Sequence, residues 1–261
     1  MVGPSCQAAG PGQHAWTGRQ SHVNVYYIVS GDYIPHSGEE RGPSCPGSFR
    51  RAAVNTGAKD GRYHHGDLRL ALVDAAIALI AERGVRGFSL AEASRRLGVS
   101  AAAPYRHFAD RDELLAAVAV RGLHVFAAMA ATEADGAADA RQRLAAMSRA
   151  YVRFAAEQRP LFDALYRAGL DKARYPSLQG AWAPVDAYRA AVEEVCAGDA
   201  DAADALAGAL ESAAHGRAAL LLDARDARDG DAVRAAADKA AAAALALIDG
   251  RQALLRRADG K

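Results

Sequence analysis

Cysteine is scarce in this sequence. The three cysteines, Cys6, Cys45 and Cys196, have neither the spacing of a zinc site nor the density of a disulfide framework. We therefore expect no disulfide and no metal site, and a reducing compartment is the default for such a chain.

β-Branched residues are also sparse after residue 60, and this disfavours a sheet. Alanine is abundant and occurs in runs with Leu, Arg, Asp and Glu. Such a mixture favours helix, because alanine loses no side-chain entropy there. The composition predicts an all-α fold.

Features of membrane and secreted proteins are missing as well. No apolar run approaches the ~20 residues that a membrane span needs. The N-terminus lacks the basic-then-apolar pattern of a signal peptide. We expect a cytoplasmic protein without a membrane partner.

A strong charge of one sign is absent, since the formal net charge is +1. The distribution is nevertheless uneven: residues 59–111 hold nine Lys or Arg against six Asp or Glu, whereas residues 112–261 hold 19 against 22. A basic segment followed by an acidic body mildly favours nucleic-acid binding.

Residues 1–57 differ from the rest of the chain. They are rich in Gly, Pro, Ser and Gln, and this composition predicts a disordered extension. An alternative is that translation starts downstream of Met1. No methionine lies between Met1 and Met129, so such a start would use another codon, for instance that of Val54.

Helical periodicity begins near residue 67. Apolar residues fall on one face at helical spacing, namely Leu68, Leu72, Ala75, Ala76, Leu79 and Ile80. Gly84 is a suitable end for this first helix. Ser89 and Glu92 have the spacing of a capping box, which predicts a second helix that ends at Leu97 and Gly98.

Ser100 and Asp110 are the next candidate N-caps. They predict a third, short helix that contains Pro104, and a fourth helix from Asp110 to about Glu133. Further helices follow, with breaks at residues 135–139, 159–160, 175–176, 197–198 and 226–231. The last two helices are expected at about 200–225 and 231–257.

The turn between the second and third helices carries the functional signal. Gly98 can adopt a positive φ, and Val99 can fill the angle between the two helices. This is the geometry of a helix-turn-helix motif, whose second member enters the DNA major groove. An all-α enzyme or binding protein without DNA function is the alternative. The sequence contains no HExxH, no CxxC and no phosphate-binding Gly-rich loop, so we expect neither catalysis nor a cofactor.

Residues 63–118 resemble the DNA-binding region of TetR-type transcriptional regulators. The resemblance rests on four pieces: Gly84…Gly87-Phe88-Ser89, Leu97-Gly98-Val99-Ser100, Tyr105-x-His107-Phe108 and Arg111-x-x-Leu114-Leu115. It implies a three-helix DNA-binding domain over 58–111, followed by a larger helical ligand-binding and dimerisation domain over 112–261.

Two further stretches, YHHGDLR and HGRAALLLD, resemble a subgroup whose C-terminal domain is named after Trp, His and Gly. This chain has His215-Gly216, and residues 211–214 before them read ESAA, without the tryptophan.

The segment after the turn is expected to meet DNA. The free backbone N–H groups in the helix turn that follows Ser100 can bind a phosphate. The small side chains of 101–103 let the helix approach thymine methyl groups. The resemblance implies phosphate contacts from Tyr105 and His107. Arg106 can pair with guanine or with phosphate. The candidate contacts in this segment are Ser100, Ala101, Ala102, Ala103, Tyr105, Arg106 and His107.

Four more candidates flank that segment. Ser89 starts the second helix, and Arg111 starts the fourth, where the family more often has Lys. Arg62 and His64 precede the first helix and can follow the DNA backbone or minor groove as an arm. His64 with His65 could instead bind metal, although adjacent histidines point in different directions.

Two further features of this domain are expected to be structural. Phe108 is expected to pack inward against Leu72, Phe88 and Leu97. The pair at 95–96 is expected to be a solvated arginine face, with phosphate contact as the alternative.

The C-terminal body carries aromatic and apolar residues on several helices. In the TetR family, such a body encloses a ligand cavity and dimerises through its last two helices. The alternative for each residue is an ordinary helical core, and for His215 a satisfied core histidine. The candidate ligand contacts are Phe126, Met129, Tyr151, Phe154, Phe162, Tyr166, Trp182 and His215.

Together these features predict a homodimeric regulator that binds a pseudo-palindromic operator in double-stranded DNA. We expect a repressor that an unknown small-molecule effector releases. Activation on the same fold would use the same DNA contacts and is the alternative.

Overall fold

The computed structural model describes residues 65–179, 181, 183–224 and 229–252. Within these ranges the chain forms nine α-helices and no strand, which confirms the all-α prediction. The helices are α1 His65–Arg83, α2 Leu90–Leu97, α3 Arg111–Glu133, α4 Ala140–Glu157, α5 Arg159–Tyr166, α6 Pro176–Gln179, α7 Ala183–Val195, α8 Ala200–Asp223 and α9 Gly230–Asp249. The extension over 1–57 lies outside the described residues.

Short-range signals set the ends of the first helices. Gly84 follows α1 with φ of 73°. The Ser89 hydroxyl accepts a hydrogen bond from the Glu92 N–H at 3.2 Å, as the capping box predicts. Gly98 ends α2 with φ of 69°, in the left-handed region that glycine tolerates. The predicted start of α3 is also confirmed, since the Asp110 carboxylate accepts from the Glu113 N–H at 2.8 Å.

The expected third helix is present as a single turn of 3-10 geometry rather than as an α-helix. Residues 101–103 form a turn, and a 3-10 helix occupies Pro104–Arg106. In an α-helix, the Ser100 carbonyl would accept from the N–H of residue 104, but proline has none. That carbonyl instead accepts from the Ala103 N–H at 3.0 Å, so the segment tightens to 3-10 geometry. Pro104 is the first residue of this 3-10 helix, a position where its missing donor does no harm.

Helices α3 and α4 organise the rest of the fold. Helix α3 packs against α1, α4, α5, α6 and α7. Helix α4 contacts α3, α7, α8 and α9. Helix α9 is continuous to Asp249, where the Gly250 N–H donates to the Ala246 carbonyl at 2.9 Å, and residues 251–252 are helical again. The expected end near 257 lies outside the described residues.

One buried hydrophobic cluster extends through most of this bundle. It includes Leu72 and Phe88 near the N-terminus, Leu114 on α3, Tyr151 on α4 and Leu221 on α8. A second cluster lies among α4, α7, α8 and α9. The basic segment and the acidic body therefore share one continuous core.

Helix α3 is more apolar than the sequence expectation allowed. A window of 18 residues in it has a mean hydropathy of 1.8, enough by length and composition for a membrane span. Its packing against five other helices accounts for this composition, since 44% of the window is buried inside the bundle.

Candidate DNA-binding surface and ligand pocket

The segment of residues 100–108 alternates between anchors and exposed side chains. Pro104 and Phe108 are buried, and Phe108 is only 1% exposed within the cluster that contains Leu72 and Phe88, as predicted. Between them, Tyr105 is 61% exposed, and Arg106 is exposed as well. The two anchors hold the short 3-10 helix against the core, so that a phenol and a guanidinium project together into solvent.

The remaining candidates of this segment are accessible to different degrees. Ser100, Ala101 and Ala102 are exposed, whereas Ala103 and His107 are half-buried. The His107 N–H donates to the Pro104 carbonyl at 2.8 Å, which closes the 3-10 helix. Small exposed side chains therefore precede the two long exposed ones along the segment.

Ser89 lies exposed at the start of α2. Its hydroxyl oxygen accepts from the Glu92 N–H, while its O–H hydrogen can still donate to a phosphate oxygen. The capping role and a phosphate contact are therefore compatible in one side chain.

Arg111 has structural contacts that the sequence did not predict. Its guanidinium donates to the Phe88 carbonyl at 3.2 Å, to the Val85 carbonyl and to the Asp112 carboxylate at 3.0 Å. It also lies over the Phe88 ring, 4.8 Å from the centroid. These contacts fix the first turn of α3 to the linker between α1 and α2.

The arginine pair on α2 has carboxylate partners. Arg96 forms a two-pronged pair with Glu82, at 2.6 and 2.9 Å, and this hydrogen bond lowers the pKa of Glu82. Arg95 pairs with Glu92, which also lies 3.0 Å from Arg83. The pattern agrees with the predicted solvated face.

The N-terminal arm candidates Arg62 and His64 lie outside the described residues. Among the residues that are described, no three His, Cys, Asp or Glu side chains group as a metal site.

A pocket opens in the C-terminal body between α3, α4, α5, α7 and α8. The empty space among its lining residues is about 620 Å³, which includes solvent at the open mouth. Its lining consists of Leu123, Phe126, Met147, Ser148, Tyr151, Tyr166, Val185, Tyr188, Leu210, Glu211 and Ala214.

Of the predicted ligand contacts, three line the pocket: Phe126, Tyr151 and Tyr166. Two other predicted residues, Phe154 and Phe162, pack against the lining rings without lining the pocket themselves. Phe162 lies 5.9 Å from Tyr151 and 4.8 Å from Tyr166, between ring centroids. Phe154 packs 5.6 Å from the Phe126 ring. Met129 packs against the hydrophobic core, and Trp182 lies outside the described residues.

His215 supports the pocket through a hydrogen bond. Its Nδ1 lies 2.8 Å from the Tyr151 hydroxyl, and its ring stacks 5.8 Å from Phe162. This matches the alternative expectation of a core histidine with a hydrogen-bond partner. His215 positions Tyr151, a lining residue, and does not line the pocket itself.

Burial dominates the chemistry of the three pocket tyrosines. It raises the pKa of Tyr151, Tyr166 and Tyr188 well above the usual value, and the negative charge of Glu211 is a further cause for each. All three are therefore neutral phenols at physiological pH. The Tyr188 hydroxyl donates to the Ala207 carbonyl at 2.8 Å.

Sequence reasoning missed Glu211 and also left Met147 and Tyr188 out of the site. Glu211 precedes His215 by four residues, so helical spacing places both on one side of α8. That spacing from a predicted pocket residue was the available signal.

Comparisons with known proteins cover both halves of the described chain. The pattern of the tetR family of bacterial regulatory proteins matches residues 72–118. A structure of a protein with unknown function from Rhodococcus sp. RHA1 is 31% identical, with a TM-score of 0.51, and the match covers 70% of this chain and 98% of that one.

Two more solved structures share the fold. A tetR-family regulatory protein from Rhodococcus RHA1 is 22% identical, with a TM-score of 0.52 and coverage of 69% and 96%. A transcriptional regulator from Saccharomonospora viridis, solved in complex with choline, is 20% identical, with a TM-score of 0.52 and coverage of 70% and 96%. No curated protein sequence matches the chain.

The family match begins inside α1 and ends inside α3, so it contains the exposed segment together with its buried anchors. The same-fold structures extend the likeness over the helical body. The chain belongs to the TetR family of DNA-binding transcriptional regulators.

Proposed function

We propose that this protein is a cytoplasmic, homodimeric repressor that leaves its operator when a small molecule occupies the pocket. One observation carries the proposal: α3 belongs to both sites. Its first turn is fixed to the α1–α2 linker by Arg111, and Leu123 and Phe126 on the same helix line the pocket. A change at the pocket therefore reaches the DNA-binding segment through one rigid element.

Tyr105 and Arg106 are the proposed centre of the DNA interface. Both project beside the small residues 101–103, which allows the segment to enter the major groove. Ser100, His107 and Ser89 contact flanking phosphates, with Arg62 and His64 as an arm. Two copies would read half-sites roughly one helical turn, about 34 Å, apart.

Dimerisation is assigned to α8 and α9. Leu220 on α8 is 65% exposed, and Ser212 and Gly216 precede it on the same exposed face at intervals of four residues. Ala242 and Ala246 are exposed on α9. Small side chains around one large apolar residue let two pairs of helices approach closely about a two-fold axis.

The effector acts by differential affinity. A ligand releases DNA only if it binds more tightly to the dimer whose reading segments are wrongly spaced. The S. viridis regulator of the same fold holds choline, which supports a small-molecule site in a body of this kind.

DNA binding is tested by fluorescence anisotropy with the DNA upstream of the protein's own gene, across a salt series. We expect a shift that weakens steeply with salt, because phosphate contacts release counterions. Arg106→Ala should weaken binding about 5- to 150-fold, by about 1–3 kcal/mol. The matched control is Arg141→Ala, whose guanidinium on α4 pairs with Asp249 at the end of α9.

Equal affinities of the two variants would contradict the assignment of the interface. No shift for the wild-type dimer at low salt would contradict DNA binding to this site. A promoter–reporter assay gives the sign of regulation: rising expression on deletion of the gene supports repression, and falling expression supports activation.

A further inference from the structure

The pocket combines aromatic rings with one carboxylate. Glu211 on α8 lies in a lining that otherwise consists of apolar residues, a serine and three tyrosines, and no Lys or Arg is among its described members. The rings of Phe126, Tyr151, Tyr166 and Tyr188 supply four aromatic surfaces to the same space. The charged side chain in this lining is thus a carboxylate, and the remaining surface is polarisable and apolar.

The tyrosine hydroxyls also favour a ligand of positive charge. The Tyr188 O–H donates to the Ala207 carbonyl, so its hydrogen points toward the backbone and the oxygen can only accept further bonds. The Tyr151 hydroxyl is engaged with His215. Because burial raises the pKa of both phenols, neither becomes a phenolate at physiological pH. Their rings keep the quadrupole that attracts a cation to an aromatic face.

An anionic ligand would meet the Glu211 charge in a poorly solvated space, where like charges repel strongly. A neutral ligand would gain no Coulombic attraction from the Glu211 carboxylate. A cation gains from both the carboxylate and the rings. Leu123, Met147, Val185 and Leu210 on the remaining walls favour a ligand whose charge carries alkyl groups.

Building on the proposed effector role of this pocket, we propose that its ligand is an organic cation of the alkylammonium class. Glu211 neutralises the charge, and the rings of Tyr151, Tyr166 and Tyr188 surround the ammonium group. Apolar substituents occupy the space between α3 and α7.

The test is isothermal titration calorimetry of the full-length dimer with choline and with its neutral isostere, in which carbon replaces nitrogen. Tetraethylammonium and tetrabutylammonium extend the series to larger cations. We expect at least one cation to bind and the neutral isostere to bind about tenfold or more weakly, the difference that a carboxylate and a cation–π site supply. Equal binding of choline and its isostere, or no binding by any of the cations at millimolar concentration, would overturn the inference.

Single-residue variants test whether Glu211 supplies the negative charge that binds the cation. Glu211→Gln preserves the shape of the side chain and should weaken cation binding about tenfold while leaving any binding of the isostere unchanged. Glu193→Gln, on the exposed side of α7, is the matched control and should bind like wild type. Tyr188→Leu removes one ring and should weaken the cations more than the isostere. The wild-type comparison of cation and isostere does not depend on any variant folding.

A parallel DNA-release assay separates the two proposals. A cation that binds the pocket but leaves the DNA complex intact contradicts the release mechanism and supports the ligand class. Release of DNA by neutral or anionic molecules, with no effect of cations, contradicts the ligand class and supports the release mechanism.

Discussion

Arg111 offers the sharpest test of how residues 100–108, the proposed DNA-binding segment, are held. The guanidinium joins the first turn of α3 to the carbonyls of Val85 and Phe88 and covers the Phe88 ring. Replacing it by alanine removes two charge-assisted hydrogen bonds and one cation–π contact at a half-exposed site. We expect a loss of about 2–3 kcal/mol in the free energy of unfolding, equivalent to a fall of about 4–12 °C in Tm.

The measurement is urea unfolding followed by circular dichroism, at one fixed protein concentration because dimerisation contributes to apparent stability. Arg121→Ala on the same helix is the matched control. Its exposed pair with Asp74, at 3.3 Å, should contribute no more than about 0.5 kcal/mol. If the two alanine variants unfold at the same urea concentration, the structural role assigned to Arg111 is refuted.

Arg111→Lys separates the structural role from the phosphate contact predicted from sequence. Lysine keeps a positive charge for DNA but lacks the planar fork that reaches two carbonyls. We expect reduced stability with nearly unchanged DNA affinity. The opposite result, full stability with lost affinity, would assign Arg111 to DNA.

Three further changes test the turn, the dimer and the exposed tyrosine. Gly98→Ala should destabilise the protein by about 1 kcal/mol in the same unfolding assay, because φ of 69° strains a residue with a Cβ although open space surrounds it; an unchanged midpoint would contradict the left-handed turn. Leu220→Asp should convert the dimer to a monomer in light scattering and weaken DNA binding, and a variant that stays dimeric would contradict the α8–α9 interface. Tyr105→Phe should weaken binding to all DNA sequences alike while leaving Tm unchanged, because the exposed hydroxyl has a phosphate to meet and no core to support; a fall in Tm would indicate packing instead.

Sequence predicted the N-terminal elements wherever a local signal decides the backbone. Ser89 with Glu92, Gly98 and Asp110 act within a few residues of themselves, and each has the predicted role. The third helix took 3-10 rather than α geometry for a local reason too, since the donor missing from Pro104 outweighed the α-helix preference of the alanines before it.

The pocket was predicted only in part, because its geometry depends on five helices. Aromatic residues mark the general area, and two of the tyrosines expected there line the cavity. Which side of α8 faces them is decided by packing against α4 and α7, so Glu211 could not be placed from composition. The same limit hid the contacts of Arg111, whose partners lie 23 and 26 residues away.

The shared core restricts how a ligand can act. Phe108 beside the DNA-binding segment and Tyr151 beside the pocket belong to one hydrophobic cluster, so the two regions cannot separate as loosely linked domains do. Close-packed interiors respond by shifting rigid elements rather than by local compression. From Arg111 to Phe126, α3 spans about 22 Å. A ligand that displaces α3 at Phe126 must therefore move the far end of the helix too, and Arg111 carries the α1–α2 linker with it.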